Sequence, residues 1–94
     1  MVVEYVKRFK KDLKSTPADI QKRVLDVIDK LEAARNLESS GLDYKRMEGQ
    51  KSSENYFRIR VGDWRIGIEC IHPDVTLLRI LTRSNIYKTF PPGT

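Results

Sequence analysis

The chain has 94 residues, 39% apolar and 33% charged, with five Gly and four Pro, which suits one core of modest size and is too little for two. That balance excludes a disordered or fibrous chain, and no apolar run approaches the length of a membrane span. A lone Cys70 and a lone His72 exclude an internal disulfide and leave too few soft ligands for zinc, so neither metal nor cofactor is expected, while a net charge of +5 favours a polyanionic partner.

Val2 to Val6 alternates loosely and reads as a short strand, after which Phe9 and Leu13 are spaced as a helical turn. Residues 1 to 14 mix apolar side chains with Lys and Arg and contain no apolar block. No secretory signal or lipidation motif is read there; a cytoplasmic location without a membrane partner is expected. Thr16-Pro17-Ala18-Asp19 predicts a helix start, with Thr16 as N-cap, Pro17 at the first helical position and Asp19 favoured by the helix dipole. Ile20, Val24, Val27, Leu31 and Ala34 form a stripe at helical spacing, widened by Leu25 and Ile28, that ends before Ser39-Ser40-Gly41. The opposite face carries Lys22, Arg23, Asp26, Asp29, Lys30 and Glu32, a mixed set that reads as a solvated surface.

Beyond Gly41 the texture changes to short segments rich in β-branched and aromatic residues, at about 43–48, 55–61, 64–71 and 75–83. The polar stretch GQKSSE and the turn His72-Pro73-Asp74 separate them. Helices first and strands afterwards predict an α+β fold: a small antiparallel sheet of about four strands, with the N-terminal helices on one face, in a single domain over 1–94. The other sheet face is left for function.

Gly62-Asp63 fits a two-residue type II′ turn, which sets the hairpin register. Val61 then pairs with Trp64, Arg60 with Arg65, Ile59 with Ile66, Arg58 with Gly67 and Phe57 with Ile68. One face becomes wholly apolar. The other carries Tyr56, Arg58, Arg60, Arg65, Gly67 and Glu69, with Arg60 directly across from Arg65, a like-charge pairing that costs a fraction of ~1 kcal/mol when exposed. On the last strand Thr76, Leu78, Ile80 and Thr82 suit the helix-covered side, leaving Arg79 and Arg83 on the basic one, with Glu69 the expected partner of Arg79. Arg83 and Tyr87 stand four apart, so one helical turn gives them a shared face.

Guanidinium forks bond two phosphate oxygens at once, so a cluster of them on one face suits a phosphate ligand. Single-stranded RNA adds a nucleophile of its own, because its 2′-OH attacks the adjacent phosphate once deprotonated. Arg, Lys and Tyr then suffice as catalysts without a metal, and neighbouring arginines favour a tyrosine phenolate. Singly, each of these residues reads equally well as packing or surface: Arg stems cover apolar area, and Trp64, Tyr56 and Tyr87 fit a core.

The string YFRIRVGDWRIGIE, followed by LLRILTRSNIYKTFP and preceded by YKRMEG, resembles the RelE/ParE superfamily of toxins from type II toxin–antitoxin pairs over about Val2 to Pro91. The resemblance implies a small antiparallel sheet backed by helices and, for RelE-type members, cleavage of mRNA in the ribosomal A site. It assigns Arg58 and Arg60 to RNA phosphate and proton transfer and Arg65 to the scissile phosphate. Arg83 becomes the second basic residue there, and Tyr87 the group that orients or activates the nucleophile. Lys45 and Arg46, in YKRMEG, join Arg58 and Arg60 as RNA-binding positions. The implied function is a ribosome-dependent mRNA endonuclease with a cognate antitoxin, the ribosome and mRNA as partners. The alternatives are a ParE-like toxin that acts on DNA gyrase without cutting RNA, and an inactive domain that binds RNA or antitoxin.

Overall fold

The computed structural model describes residues 1–91. The elements run β1 (Val2–Tyr5), α1 (Lys7–Lys14), α2 (Ala18–Ala33), β2 (Tyr44–Arg46), β3 (Tyr56–Val61), β4 (Trp64–Ile71), β5 (Asp74–Thr82) and α3 (Arg83–Thr89). They form a mixed α+β fold around one sheet of order β1-β5-β4-β3-β2. The segments from β2 to β5 pair antiparallel, as the alternation predicts. The loosely alternating N-terminal segment adds a fifth strand, parallel to β5 with Val2 opposite Asp74 and Tyr5 opposite Leu77.

α1 and α2 cover one sheet face. Phe9, Ile20, Val24, Val27 and Leu31 pack on Ile59, Val61, Ile66, Ile68, Val75, Leu77 and Ile80, and all are buried. β3 and β4 contribute every second residue, the β period, while α2 contributes at i, i+4, i+7 and i+11. Leu25 lies outside the stripe and is 58% exposed, since it is turned about 100° from Val24 on a 3.6-residue helix.

The start of α2 differs from expectation. Pro17 takes the N-cap position at φ −58° and ψ 152°, and Thr16 turns back instead, its Oγ1 donating to the Leu13 carbonyl at 2.7 Å. Gln21 fastens the same corner by donating to the carbonyls of Leu13 and Thr16. The helix also stops at Ala33, well before Ser39, and a short 3₁₀ turn over Glu38–Ser40 leads to Gly41 in the left-handed region at φ 75°.

β5 carries the main correction to the sheet faces. Gly67 opposes Arg79 while Ile68 opposes Leu77, so Leu78 is an extra residue in a bulge. A bulge shifts the alternation by one. Val75 and Leu77 before it and Ile80 after it reach the helix side, whereas Leu78 and Leu81 join the opposite side. Thr76, directly across from Glu69, also lies on that opposite side, so the expected run Thr76, Leu78, Ile80, Thr82 is broken at its first two members. Arg79 does not pair with Glu69. Its Nε donates to Asp12 Oδ2 at 2.7 Å, and the same carboxylate oxygen accepts from the Ile80 backbone N–H at 3.2 Å. Asp12 thereby covers the edge of β5 that β1 leaves open beyond Leu77.

The second sheet face is only partly free. Ile86 from α3 and Phe90 beyond it pack with Met47 against Tyr56, Leu78 and Leu81. The Phe90 ring lies on Gly67, where a Cβ would stand 2.9 to 3.0 Å from its Cδ1, Cε1 and Cγ atoms, and it meets Tyr56 edge-on at a centroid distance of 5.5 Å.

Candidate functional site

The β3–β4 hairpin has the register its turn dictates: Val61 opposite Trp64, Arg60 opposite Arg65 and Arg58 opposite Gly67. Gly62 sits at φ 60°, and no other residue type among those described has positive φ, which is the type II′ pattern. The cost of setting Arg60 across from Arg65 is relieved locally. Arg65 is only 9% exposed and folds back so that its Nη1 donates to the carbonyls of Gly62 at 2.8 Å and Trp64 at 2.9 Å. Its guanidinium therefore holds the hairpin tip.

Arg58 behaves differently. Lys45 on β2 stands beside it in register, and on its other side Gly67 offers no side chain. The Arg58 side chain is 17% exposed, with Nη1 3.7 Å from Asp43 Oδ1. That separation is an ion pair and too long for a hydrogen bond. The buried Nε and Nη1 atoms consequently have no hydrogen-bond partner, in a group whose unmet donors cost about 1–3 kcal/mol each.

Arg58 opens into a cleft of about 440 Å³. One wall is the segment from Lys45 to Gly49, and the other is Tyr87, Phe90 and Pro91. Phe90 comes to this wall because Gly67 leaves room for its ring, and Tyr87, 60% exposed, comes because α3 is anchored at both ends. The Arg83 N–H donates to the Asp63 carbonyl at 2.9 Å, and the Phe90 N–H to Ile86. The first wall is tied down by side chains. Gln50 donates from Nε2 to the carbonyls of Met47 and Tyr56 at 2.8 and 2.7 Å, and its Oε1 accepts from the Tyr56 N–H at 2.9 Å. The Met47 N–H still donates to the Tyr56 carbonyl at 3.0 Å, and the Gln50 amide replaces the return bond from the Tyr56 N–H to Met47. Arg46 Nη2 donates to the carbonyls of Lys51 and Glu54. Burial, with Glu69 and then Glu54, raises the Tyr56 phenol above its ordinary range, so Tyr56 serves this face as a neutral packing residue.

Of the residues expected at the site, the cleft brings together Lys45, Arg46, Arg58 and Tyr87. Arg65 is turned into the hairpin tip. Arg60 lines a separate groove against α2. Arg83 is exposed at the first turn of α3, one turn from Tyr87. Met47, Gln50 and Phe90 were missed. A glycine inside a strand otherwise full of large side chains marks a close approach, and Gly67 could have pointed to Phe90. Gln50 carries no local signal, because its partners lie across a loop. The cleft pairs guanidinium and ammonium groups with a phenol and apolar walls, which suits a phosphodiester carrying an organic group. Among the described residues no group of three or more His, Cys, Asp or Glu is placed to hold a metal ion, and no helix is long and apolar enough to cross a membrane.

Residues 3–87 match the family model of the ParE toxin of type II toxin–antitoxin systems, parDE. Toxin RelE3 of Methanocaldococcus jannaschii is 41% identical over 91 residues, which is 97% of this chain and 100% of that protein. The chain is a RelE/ParE-superfamily toxin. It is thus a toxin component of a type II toxin–antitoxin system. The fold of this toxin superposes on the RelB-RelE antitoxin-toxin complex of Methanococcus jannaschii with a TM-score of 0.76 and 39% identity, covering 94% of this chain and 99% of the other. The archaeal RelE-RelB complex of Pyrococcus horikoshii OT3 gives 0.70 and 25%, covering 87% and 93%. YafQ of E. coli, at 0.60 and 16% over 90% and 96%, shares the fold.

Proposed function

We propose that this toxin cuts messenger RNA on the ribosome without a metal ion, in the cleft between β2 and α3, and that a cognate antitoxin of the RelB kind holds it inactive in the cytoplasm. The observation that carries the reading is Arg58: a mostly enclosed guanidinium with two buried unpartnered nitrogens, beside Lys45 and facing a wall that bears Tyr87. A phosphate would complete the hydrogen bonds that the fold leaves unmade. Relatives at 39% and 25% identity were crystallised with antitoxin partners, which supports that pairing here.

In the proposed reaction the 2′ oxygen loses its proton and bonds to phosphorus, and the bond from phosphorus to the 5′ oxygen breaks. A cyclic phosphate and a 5′-hydroxyl result, with the second oxygen gaining the proton that balances the first. Arg58 neutralises the crowded phosphorane, a stabilisation strongest in a partly enclosed site. Tyr87 and Lys45 are the proton-carrying groups of the cleft, Tyr87 orienting the nucleophile and Lys45 serving the leaving oxygen. Arg46 and Arg83 extend the positive field along the strand of RNA. Arg65 acts through the hairpin it fixes, and Arg60 binds RNA outside the cleft.

Induction of the toxin in bacteria, with 5′ ends of mRNA mapped, tests this beside Arg58→Ala and Tyr87→Phe. Ribosome-phased cuts that vanish in both variants are expected. The match to the ParE model favours a second reading, a toxin that blocks DNA gyrase. Growth arrest with intact mRNA and DNA damage would establish that one and remove the first, and no arrest would leave an inactive binding domain.

A further inference from the structure

Arg60 and the polar face of α2, which reads from sequence as a solvated surface, meet in a groove of about 390 Å³ beside the hairpin tip. Lys22, Arg23 and Arg60 line it over Leu42 and Val61. Asp26, its one carboxylate, is engaged by Lys30 at 3.1 Å. Arg23 is exposed but its guanidinium rests against the hairpin tip. Its Nη1 lies only 2.9 Å from where a Cβ on Gly62 would stand, so the turn glycine admits the guanidinium against the tip. Arg65 bonds the carbonyl of the same Gly62 from within the hairpin. Cations from two elements therefore gather around one turn, where Asp63 is the turn's own carboxylate, and their mutual repulsion falls when a further anion enters.

We propose that this groove is a second phosphate-binding stretch, which takes the backbone of single-stranded RNA where it leaves the cleft; the inference rests on the cleft being the RNA site. Continuity selects a nucleic acid over an acidic protein segment. Arg58 and Arg60 are alternate residues of β3, about 6.6–6.8 Å apart along the strand, so a regularly spaced polyanion held at Arg58 next meets Arg60 and then α2. The groove offers no aromatic ring for stacking. Its contacts are accordingly to phosphate, without base preference, and strengthen binding in a salt-dependent way.

The test is fluorescence anisotropy with 2′-O-methyl RNA, which lacks the internal nucleophile, at lengths of about four and about twelve nucleotides across a salt series. The double variant Lys22→Gln, Arg23→Gln should bind the long RNA about tenfold more weakly at low salt, with the slope of log K against log salt reduced by about 1.4, two contacts at ~0.7 each. The short RNA should bind as before. Lys10→Gln, Lys14→Gln on α1 removes equal charge elsewhere and should leave both lengths near wild type. Long-RNA binding by the α2 variant equal to wild type, or weakened no more than by the α1 variant, overturns the proposal. So does a loss of poly-glutamate binding with RNA binding intact, which would assign the groove to an acidic protein. Failure of the wild-type toxin to bind either RNA overturns the cleft reading first and this inference with it.

Discussion

Gly67→Ala probes the contact that joins fold to cleft. The added Cβ would meet Phe90 Cδ1 at 2.9 Å and Cε1 and Cγ at 3.0 Å, against an optimum of about 3.5–4.0 Å between carbons. Cγ is the root of the ring, so rotating the ring about its own axis gives no relief and the whole side chain must withdraw. Overpacking of this kind costs about 1–3 kcal/mol. In a chain of this size each kcal/mol lowers Tm by about 4–8 °C.

The decisive measurement is a double-mutant cycle by urea denaturation. Phe90→Ala alone should cost up to about 3–5 kcal/mol, less if the small cluster around Met47 and Ile86 collapses. With that ring gone, Gly67→Ala should be neutral or stabilise by about 0.5–1 kcal/mol, because alanine is better than glycine inside a strand. The coupling is then at least about 1 kcal/mol. An equal cost of Gly67→Ala in both backgrounds would refute the contact. Because Phe90 also walls the cleft, Gly67→Ala should lower RNA cleavage even well below its Tm.

Asp12→Asn keeps an oxygen for the Ile80 N–H and strips the counter-charge from Arg79, whose side chain is 19% exposed; a loss of about 3 kcal/mol, the low end for breaking an enclosed pair, is expected by denaturant titration. Gln50→Glu turns a donor into an acceptor against the carbonyls of Met47 and Tyr56, so the loop should loosen by about 1–3 kcal/mol, read as faster hydrogen exchange at the Tyr56 amide, with KM for RNA raised more than kcat is lowered. Spectrophotometric titration should find Tyr56 ionising above the ordinary tyrosine range, and Tyr56→Phe should remove that step. Since the folded phenol is the one raised, its stabilisation is complete below the unfolded pKa of ~10 and is lost as pH rises through the folded value.

Local rules made the hairpin legible. A Gly-Asp turn fixes a two-residue register, and alternation then sorts Phe57, Ile59 and Val61 from Arg58 and Arg60 without further information. The α2 stripe is legible for the same reason. The bulge at Leu78 was not, since one extra residue in an apolar run leaves no mark on composition yet puts Val75 and Leu77 on the helix side and Thr76 and Leu78 on the other. The partner of Arg79 depended on that shift and on an aspartate 67 residues away. Sequence gathers arginines by type and strand parity. Where each guanidinium ends is decided by what it meets: backbone carbonyls for Arg65, α2 for Arg60, and a cleft for Arg58.

Arg65 and Arg58 are bonded differently by the fold. Both lie in the same hairpin and both are largely buried, but Arg65 spends its Nη1 on two carbonyls of its own turn and leaves one buried nitrogen, Nε, without a partner, where Arg58 leaves both Nε and Nη1. Arg58 has the partly exposed Asp43 at 3.7 Å and Lys45 beside it, so folding leaves it with unmet donors and a neighbouring like charge. A sequence selected for stability alone would exchange it for a residue without that cost, since an apolar side chain of similar volume is often neutral or better at such a position. Under the proposed function, a phosphate entering between Lys45 and Tyr87 offsets that penalty. For that reason the proposed function rests on Arg58 rather than on the more deeply buried Arg65.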